Sequence, residues 1–556
     1  MLEKQISESL NIDPLIARIM IDRGMKTIQD SEKYLYPELK HLPDPYSLKG
    51  MGVTVSRIRK AIKNKESILI YGDYDADGIT CIAVLKKALG DLIKVGYYIP
   101  DRMTEGYGLN KSALNKICSE GYNLVITVDC GITSIEEVAF AKTLGLDVII
   151  LDHHQPKDFL PNTDYIIDPK QNDCFSNMSE LAGVGVVYML IIALQKEMDI
   201  KENGFLELVA LGTIADIAPL VNVNRILVKK GLEQIEATNN LGLKALIKQS
   251  GLSSCKIDAA QVSFVLAPRI NASGRIGKAN LAVELLLTAE QSVADSLANQ
   301  LCRMNERRQA IESDIMKEAV SYLENEIDIE NDKIIVLGSK KWHPGVIGIV
   351  ASKMVEKFSR PVILIAYDEN TLHGKGSARS KNGLNIFKAI AECEDLLLSY
   401  GGHELASGIS IEIGNIENFR KKVNEAAESI FPAEGSRRKL NIDSIINFED
   451  INLHFMDSLE SLAPFGFGNP KPIFMSEKVS LIDYPRIVGD KHIRLKSKKG
   501  SSQKDIICFN MVDQYEDLLN IKEPINIIFN LSKNVWQNKT SVQLVLKDIL
   551  ISEKSP

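Results

Sequence analysis

Acidic residues and histidines recur at the ends of short apolar segments in the first third of this 556-residue sequence. They are Asp73, Asp75 and Asp77 in GDYDADG, Asp129 in VITVDCG, and Asp152, His153 and His154 in VIILDHH. An uncompensated carboxylate at the end of a buried strand is unfavourable by several kcal/mol, and a divalent cation offsets that cost. The pattern therefore predicts a metal centre built from carboxylates and imidazole.

The types of these side chains also favour particular ions. Carboxylates with one imidazole suit Mn²⁺ or Mg²⁺ better than Zn²⁺, which favours cysteine and several histidines. The spacing D-x-D-x-D-G also opens an EF-hand calcium loop, but that loop needs Glu at its twelfth position, which is Val84 here. Asp216 in LGTIADIAPL is either a further ligand or a helix cap.

The elements that must position these residues are visible between Ser67 and Asp152. Four apolar segments alternate there with helix-like segments, a pattern typical of a parallel sheet covered by helices. The four segments are SILIY, KVGYYI, NLVITV and LDVIIL. Because the carboxyl ends of parallel strands meet at one edge of a sheet, we expect the acidic clusters to converge on one crevice.

The remaining sequence predicts an α/β protein with a further β-rich part. An apolar spacing of three and four without Gly or Pro predicts a long linking helix over residues 288–328. A second α/β pattern follows, with glycine-rich loops at GKGSARS and YGGHELASG, and FPAEGSRRK at 431–439 is the expected linker. Short strands then predict a small barrel. The expected domains are residues 1–287, 288–328, 329–432 and 433–556.

Composition excludes global disorder, because 45% of the residues are hydrophobic and 25% are charged. The longest uncharged segment, Leu181 to Gln195, is shorter than the ~20 apolar residues that a membrane-spanning helix needs. The first residues, MLEKQISESLNIDP, have no apolar core of a signal peptide, so the cytoplasm is the expected compartment. The eight scattered cysteines form no CxxC pair and are interpreted as buried thiols.

The net charge of -7 is distributed unevenly along the chain. Residues 435–556 carry 17 Lys and Arg against 15 Asp and Glu, whereas the first 434 residues carry 49 against 58. Arg486 to Lys504 contains seven basic residues and one acidic residue. This stretch is a predicted phosphate-binding surface.

The metal-site motifs resemble those of the DHH phosphoesterase superfamily, where GDYDADG, VDCG, DHH and ADIAP occur in this order. Five further segments are similar to those of the RecJ exonuclease family within it: RINASGRIG, WHPGVIGIVASK, GSARS, GGHELASG and APFGFGNPKP. The resemblance implies a DHH domain, a linking helix, a DHHA1 domain and an OB-fold. It also implies hydrolysis of single-stranded DNA from the 5′ end, with release of 5′-mononucleotides in DNA repair and recombination.

Roles for individual residues follow from the resemblance. The implied metal ligands are Asp75, Asp77, Asp129, His153 and Asp216. Asp129 would bridge two ions, with Mn²⁺ the preferred activator over Mg²⁺, and His154 would contact the scissile phosphate. Many superfamily members have histidine where this sequence has Tyr71, so one metal site is expected to have fewer protein ligands. Asp73 has no agreed ligand role and is expected to assist catalysis by orienting the loop.

Substrate contacts are implied elsewhere in the chain. Four residues match the 5′-phosphate pocket of the family, namely Arg102, Arg275, Ser377 and Arg379. Guanidinium groups suit a terminal phosphate, although each arginine could instead form a surface salt bridge. His403 would reach across the cleft to a substrate phosphate, unless GGHELASG is only a tight turn. Trp342 either stacks on a base or is a half-buried aromatic at a helix start.

Three functions remain open from the sequence. The first is a single-stranded-DNA exonuclease that acts as a monomer, away from membranes, with a single-strand-binding protein and a helicase as partners. The second is a DHH/DHHA1 phosphodiesterase for cyclic dinucleotides or very short oligonucleotides, which would need no OB-fold and no basic stretch. The third is a metal-free replisome scaffold, which would be expected to have lost the carboxylates that this chain retains.

Overall fold

The computed structural model describes residues 2–201, 205–325, 332–381, 383–430, 440–536 and 539–550. Within these residues the strands form three sheets. The helices that precede the first sheet are α1 (Leu2–Leu10), α2 (Pro14–Asp22), α3 (Ile28–Leu35) and α4 (Met51–Asn64). Helix α2 begins where the Asp13 carboxylate accepts a hydrogen bond from Leu15 N and where Pro14 fixes a helical φ angle.

The first sheet is parallel, with its strands in the order β2-β1-β3-β4-β5. Its elements are β1 (Ile68–Gly72), α5 (Ala76–Leu89), β2 (Val95–Tyr98), α6 (Lys111–Ser119), β3 (Leu124–Val128), α7 (Ile135–Thr143), β4 (Asp147–Leu151) and β5 (Ile166–Ile167). The four apolar segments predicted as parallel strands are thereby confirmed. β1 and β3 are buried throughout because helices cover both faces of the sheet, which explains their continuous apolar sequences.

A layer of helices completes the first domain. It contains α8 (Gly183–Gln195), α9 (Phe205–Ala215), α10 (Asn222–Ile235), α11 (Leu241–Gln249), α12 (Ala259–Gln261), a π-helical turn (Val262–Leu266), α13 (Ala267–Ile276) and α14 (Asn280–Leu287). Helices α8 and α9 are apolar on nearly all sides because they pack against each other and against α5. This burial fixes the first turn of α8 beside the carboxyl ends of β1 and β3.

The linking helix is α15 (Gln291–Asn325), which begins three residues after the predicted start. The predicted end at residue 328 lies outside the described residues. One half of α15 packs on α11, α13 and α14, and its C-terminal half packs on helix α16 (Ile347–Phe358) of the next domain. At 1.5 Å per residue the helix is about 52 Å long, so one rigid element connects the two α/β domains.

The second sheet has the strand order β6-β7-β8-β10-β9. Its elements are β6 (Ile335–Ser339), α16, β7 (Val362–Asp368), β8 (His373–Arg379), α17 (Ile386–Ala391), β9 (Leu397–His403), β10 (Ala406–Glu412) and α18 (Ile416–Ile430). The prediction of loops at GKGSARS and YGGHELASG is wrong, because these segments are β8 and the β9–β10 hairpin. Gly376 faces Ile409 across the ladder, and a Cβ there would approach Ile409 Cγ1 to 2.5 Å, so close packing requires the glycine.

The C-terminal domain is a partly closed sheet, in agreement with the predicted barrel. Its elements are β11 (Ser444–Ile445), α19 (Leu453–Glu460), β12 (Phe474–Leu481), β13 (Arg486–Val488), β14 (His492–Lys499), β15 (Ser502–Cys508), α20 (Tyr515–Leu519), β16 (Ile525–Trp536) and β17 (Lys539–Leu550). The strand order is β11-β12-β16-β17-β15-β14-β13, and an additional β12–β14 pairing curls the sheet. The expected linker at 431–439 lies outside the described residues.

The N-terminal helices α2 and α3 share a hydrophobic core with this C-terminal domain rather than with the DHH sheet. Arg225 of α10 strengthens the junction, because its guanidinium donates hydrogen bonds to the carbonyl oxygens of Tyr34, Leu462 and Ala463 at 2.8, 3.0 and 3.0 Å. The same guanidinium lies 3.7 Å from the centroid of the Tyr34 ring. The segment APFGFGNPKP therefore connects α10 and the N-terminal helices to the C-terminal domain.

Among the described residues no helix has the length and apolar character needed to cross a membrane. All eight cysteines are free thiols. The interpretation of buried thiols is confirmed for Cys81, Cys130, Cys393 and Cys508. It is wrong for Cys255, which is exposed because it lies in the irregular segment between α11 and α12.

Candidate active site

The structure brings the predicted acids together where β1, β3 and β4 end. Potential ligand atoms lie within 4.8 Å of one another in three groups: Asp73, Asp75 and Asp129; Asp77, His153 and Asp216; and Asp129, His153 and His154. His153 Nε2 lies 3.1 Å from Asp129 Oδ1, and His153 Nδ1 lies 3.9 Å from Asp216 Oδ2. Asp129 thus adjoins both carboxylate groups, which is the position expected for a bridging ligand.

Local backbone geometry positions two of these carboxylates. Asp75 caps the N-terminus of α5, where its Oδ1 accepts hydrogen bonds from Asp77 N and Gly78 N. Asp77 accepts hydrogen bonds from Gly183 N at 2.7 Å and Val184 N at 2.9 Å, at the start of α8. A Cβ at Gly183 would lie about 3 Å from Asp77 Oδ2 and Asp129 Oδ1, so only glycine leaves the space between these carboxylates open.

Burial and mutual repulsion make this cluster unfavourable without a cation. Burial, followed by the charge of a neighbouring aspartate, raises the pKa values of Asp73, Asp77 and Asp129 well above their usual range. The same causes raise the pKa of Asp216 to about 7. Burial and His154 lower the pKa of His153 to about 3, so His153 is neutral and able to ligate a metal.

Asp73 is a more direct participant than the sequence indicated. Its side chain is almost fully buried, and Oδ1 has no hydrogen-bond partner. A buried carboxylate oxygen without a partner, next to Asp75 and Asp129, fits a divalent cation. Tyr71 faces away from this group, because its hydroxyl donates to Gly108 O in the core. Asp73 therefore offers a donor on the side of the site where Tyr71 contributes no ligand.

His154 is held by Asp152, to which the family resemblance assigned no individual role. Asp152 Oδ1 lies 2.7 Å from His154 Nδ1 and also accepts from the backbone N of His153. Although burial opposes the charged form, the hydrogen bond with Asp152 raises the pKa of His154 to about 9. Asp152 therefore holds His154 in its charged form, and the hydroxyl of Tyr107 lies 3.4 Å from the same Nδ1.

Two further residues near the site also escaped the sequence analysis. Asn271 Oδ1 accepts a hydrogen bond from Ala76 N at 2.7 Å and so ties α13 to the metal loop. Tyr107 additionally donates to the carbonyl oxygen of Asp129. Asn271 lies within RINASGRIG and Tyr107 within EGYG, so the local motifs were visible, but only the fold shows which side chain of each reaches the metal loop.

The implied 5′-phosphate residues gather beside the metal loop. Arg102 lies 5.0 Å from the centroid of the Tyr74 ring, and Tyr74 stands between two of the clustered aspartates in sequence. Burial and the charges of Arg102 and Arg308 lower the pKa of Arg275 to about 10. Burial and Arg102 also lower the pKa of Arg379. Buried guanidinium groups that repel one another in this way would be stabilised by an anion, as the implied role in binding a 5′ phosphate requires.

Ser377 and Arg379 are the two implied phosphate contacts that lie in the second domain. Arg379 Nη1 lies 3.0 Å from Ser377 Oγ. A Cβ at Gly348, in the first turn of α16, would lie 2.8 Å from Ser377 Oγ and 3.0 Å from Arg379 Nη2. The glycine leaves this space open at a helix N-terminus, where backbone amides also favour an anion.

Two predicted substrate contacts differ in their surroundings. Trp342 is 4% exposed, packs in the core of α15, α16 and the second sheet, and donates to Glu318 Oε2 at 3.2 Å. The base-stacking role is therefore wrong, because the apolar packing leaves no ring face open. His403 is exposed at the end of β9, and no hydrogen bond or ion pair of the described residues joins its side chain to the DHH region. Its contact with substrate stays a prediction.

The sequence is similar to known protein families and to a characterised exonuclease along nearly its whole length. Family models match the DHH family, N-terminal domain, over residues 67–213, the DHHA1 domain over 331–429 and the RecJ OB domain over 442–548. The single-stranded-DNA-specific exonuclease RecJ of Bacillus subtilis is 40% identical over 553 residues, covering 99% of this chain and 70% of that protein.

The fold is also similar to solved structures. The crystal structure of RecJ from Thermus thermophilus in complex with Mn²⁺ matches with a TM-score of 0.85 at 30% identity, covering 100% of this chain and 78% of that chain. The Mg²⁺ complex of the same protein matches with a TM-score of 0.80 at 29% identity, covering 100% and 77%. Because sequence, domain order and fold agree along the chain, this protein belongs to the RecJ family of the DHH phosphoesterase superfamily.

Proposed function

We propose that this protein is an exonuclease that degrades single-stranded DNA from a 5′-phosphorylated end and releases 5′-mononucleotides. The observation that carries the proposal is the position of Arg102, Arg275 and Arg379 beside the clustered aspartates. Arg102 stacks on Tyr74, whose neighbours Asp73 and Asp75 belong to the ligand group. A terminal phosphate held by these arginines leaves the first phosphodiester close to the clusters, which favours release of one nucleotide at a time.

Different residues of the site would bind the metal ions, contact the scissile phosphate and hold the 5′ end of the strand. Oxygen donors with one neutral imidazole fit Mn²⁺ or Mg²⁺, with Asp73, Asp75 and Asp129 on one side and Asp77, His153 and Asp216 on the other. When bound, a pair of such ions supplies an activated water nucleophile and stabilises charge on the departing 3′ oxygen. His154, kept charged by Asp152, donates a hydrogen bond to the scissile phosphate. The arginines hold the end of the strand in register.

The C-terminal domain supports a polymeric substrate. The RecJ OB domain model matches it, and an OB-fold binds single strands through aromatic and basic side chains. Within the basic stretch, Arg494 pairs with Asp505 and Lys496 lies 3.8 Å from Asp483, so part of its charge is already compensated. A cyclic dinucleotide offers neither a terminal phosphate nor a long backbone, which disfavours the phosphodiesterase alternative.

The predicted biological setting follows from this substrate. An enzyme specific for unpaired DNA needs a helicase to expose the strand and meets a single-strand-binding protein on it. We therefore propose both as partners in DNA repair and recombination in the cytoplasm, with the protein acting as a monomer.

The test compares 5′-phosphorylated with 5′-hydroxyl single strands in the parent and in Arg379→Ala. A 5′-hydroxyl end leaves buried guanidinium groups unpaired, at a cost of about 2 to 5 kcal/mol, so the parent is expected to prefer the phosphate at least about thirtyfold in kcat/KM. Arg379→Ala should lose most of that preference. Arg379→Lys should restore little, because an ammonium lacks the planar two-point contact. Arg18→Ala, an exposed arginine on α2, is the matched control.

The assignment of the pocket fails if the parent shows no preference for the phosphate or if Arg379→Ala keeps it in full. Degradation of duplex DNA as fast as single strands would contradict the proposed substrate. Hydrolysis of a cyclic dinucleotide faster than of a single strand would favour the phosphodiesterase alternative.

A further inference from the structure

A second cleft adjoins the arginine pocket. Two arginines of that pocket, Arg102 and Arg275, line a cleft of about 560 Å³. The second cleft, of about 720 Å³, lies between α13, α15 and α16, and Arg275 lines it as well. Asn271, whose side chain is bonded to the metal loop, also lines the second cleft. Arg275 therefore borders both clefts, and Asn271 places the second cleft beside the metal loop.

An exposed aromatic side chain stands in the second cleft. Phe264 is 79% exposed, although the residues on either side of it belong to a helix that is packed against the DHH core. It lies in the π-helical turn before α13, and Pro268, Asn271 and Arg275 follow it along one face at steps of four, three and four residues. A π-turn changes the direction in which a side chain projects and is frequent at functional sites.

The lining of the second cleft is positively charged. Glu312 is its acidic residue, and it is already paired with Arg308 at 2.6 Å and with Lys353. Lys317 of α15 and Lys491 of the β13–β14 hairpin also line the cleft, and no ion pair of the described residues engages them. An exposed phenyl ring among uncompensated cations matches a single-stranded nucleic acid, which presents bases to the ring and phosphates to the cations.

We propose that Phe264 stacks on a nucleobase of the bound strand and so positions the strand between the arginine pocket and the C-terminal domain. This inference rests on the proposed function. From Phe264 to Arg275 the helix rises about 16 Å, and a strand that covers this distance at 3.4 Å or more per nucleotide uses at most about five nucleotides. The stacked base therefore belongs to the first five or so nucleotides from the 5′ end.

The test uses 5′-phosphorylated oligonucleotides that each carry one abasic site at positions one to ten. Binding is measured by fluorescence anisotropy in EDTA, which prevents cleavage, and kcat/KM is measured with Mn²⁺. The parent should show a position within the first five or so where base removal weakens binding about tenfold, as expected for one base–aromatic stack. Phe264→Ala should bind the intact strand about tenfold more weakly and show no drop at that position. Phe264→Trp should restore the drop.

Two controls separate stacking from other effects. Phe175→Ala removes a phenyl ring that is 86% exposed between β5 and α8, and it should keep the abasic profile of the parent. Phe264→Ala should leave the slope of log K against log salt unchanged, because no charge is lost, whereas Lys491→Ala should reduce the slope by about one.

An abasic profile in Phe264→Ala that equals the profile of the parent would overturn the inference while leaving the exonuclease proposal intact. A parent that shows no position dependence would overturn it equally. A parent that degrades no single strand with Mn²⁺ would refute the proposed function, and the stacking role with it.

Discussion

Asp129 Oδ1 lies 3.1 Å from His153 Nε2, and this contact joins the two groups of potential ligands at the carboxyl edge of the first sheet. Asp129 has φ of 58°, a left-handed conformation that asparagine and aspartate tolerate better than other side chains. The strand β3 ends at Val128, so the turn points the carboxylate into the centre of the site. One residue thereby borders both places where an ion can bind.

Asp129→Asn should reduce hydrolysis at least about a thousandfold, equivalent to ~4 kcal/mol of transition-state stabilisation, because both groups lose a negative ligand. Asparagine keeps the backbone conformation, so the fold should persist. In EDTA the Tm should be equal to or higher than that of the parent, because one buried charge is removed, and Mn²⁺ should raise it less than it raises the Tm of the parent.

The exposed Asp158→Asn, on the loop after His154, is the control for that measurement and should behave as the parent in both assays. Activity of Asp129→Asn within tenfold of the parent at saturating Mn²⁺ would show that Asp129 does not bridge two ions.

Asp73→Asn should be as severe as Asp75→Asn. The sequence suggested a milder effect, because no metal bond was assigned to Asp73. The carboxylate of Asp73 nevertheless lies in one group with those of Asp75 and Asp129, and its Oδ1 has no hydrogen-bond partner. Asparagine offers a weaker, neutral donor to a cation. Titration of activity with Mn²⁺ should show a higher half-saturating concentration together with a lower kcat. An unchanged Mn²⁺ dependence would return Asp73 to a role in loop orientation.

Asp152→Asn should lower kcat about a hundredfold, which is the largest loss typical of a residue that orients an active-site group. The Mn²⁺ concentration that gives half-maximal activity should stay nearly unchanged. The amide no longer stabilises the charged form of His154. If Asp152 acts only through His154, the double variant with His154→Gln should be no slower than His154→Gln alone. Additive losses in this double-mutant cycle would instead indicate that Asp152 has a role of its own.

Arg225→Ala should reduce the free energy of unfolding by about 3 kcal/mol or more, because three buried carbonyl oxygens lose a charged donor. Urea unfolding provides the measurement, and Arg18→Ala, exposed on α2, should change it by less than about 0.5 kcal/mol. If Arg225→Ala also reduced the free energy of unfolding by less than about 0.5 kcal/mol, the contacts between α10 and the segment APFGFGNPKP would not stabilise the junction.

The N-terminal helices and Arg225 depend on the C-terminal domain for their packing, so removal of that domain would affect more than DNA binding. Deletion from about residue 436 onward is an obvious test from the sequence, but it would expose Ile16, Ile19 and Met20 of α2 and remove two of the three carbonyl partners of Arg225. Replacement of single cations such as Lys491 tests DNA binding without removing the packing partner of the N-terminal helices.

The parallel sheet and its acids were predictable because the signal is local. Each buried strand is a continuous apolar segment, and each acid follows directly, so the edge of the sheet where they meet follows from the topology alone. The donor set for Mn²⁺ or Mg²⁺ followed from the same residues. The order of the domains came from the family resemblance.

What the sequence missed depends on contacts between distant residues. Arg23 bonds to Pro470 O at 2.7 Å across 447 positions, so no local pattern could show that the first helices pack on the C-terminal domain. The glycines of β8 to β10 have low strand propensity, and for Gly376 and Gly402 only the close approach of the neighbouring strand shows why glycine is required. Trp342 was predicted to stack on a base although it is buried, and the exposure of Phe264 was not predicted. Both errors arise because tertiary packing determines whether an aromatic side chain is buried.

Metal-dependent removal of nucleotides from the 5′ end of unpaired DNA can be followed with a single-stranded oligonucleotide that carries a ³²P-labelled 5′ phosphate. The strand is incubated with Mn²⁺ beside the same strand in a duplex. We expect labelled 5′-mononucleotide as the product from the earliest time point, an intact duplex, and no reaction in EDTA. Labelled fragments of intermediate length that shorten progressively to a mononucleotide, or hydrolysis that continues in EDTA, would show that the protein is not a metal-dependent 5′ exonuclease.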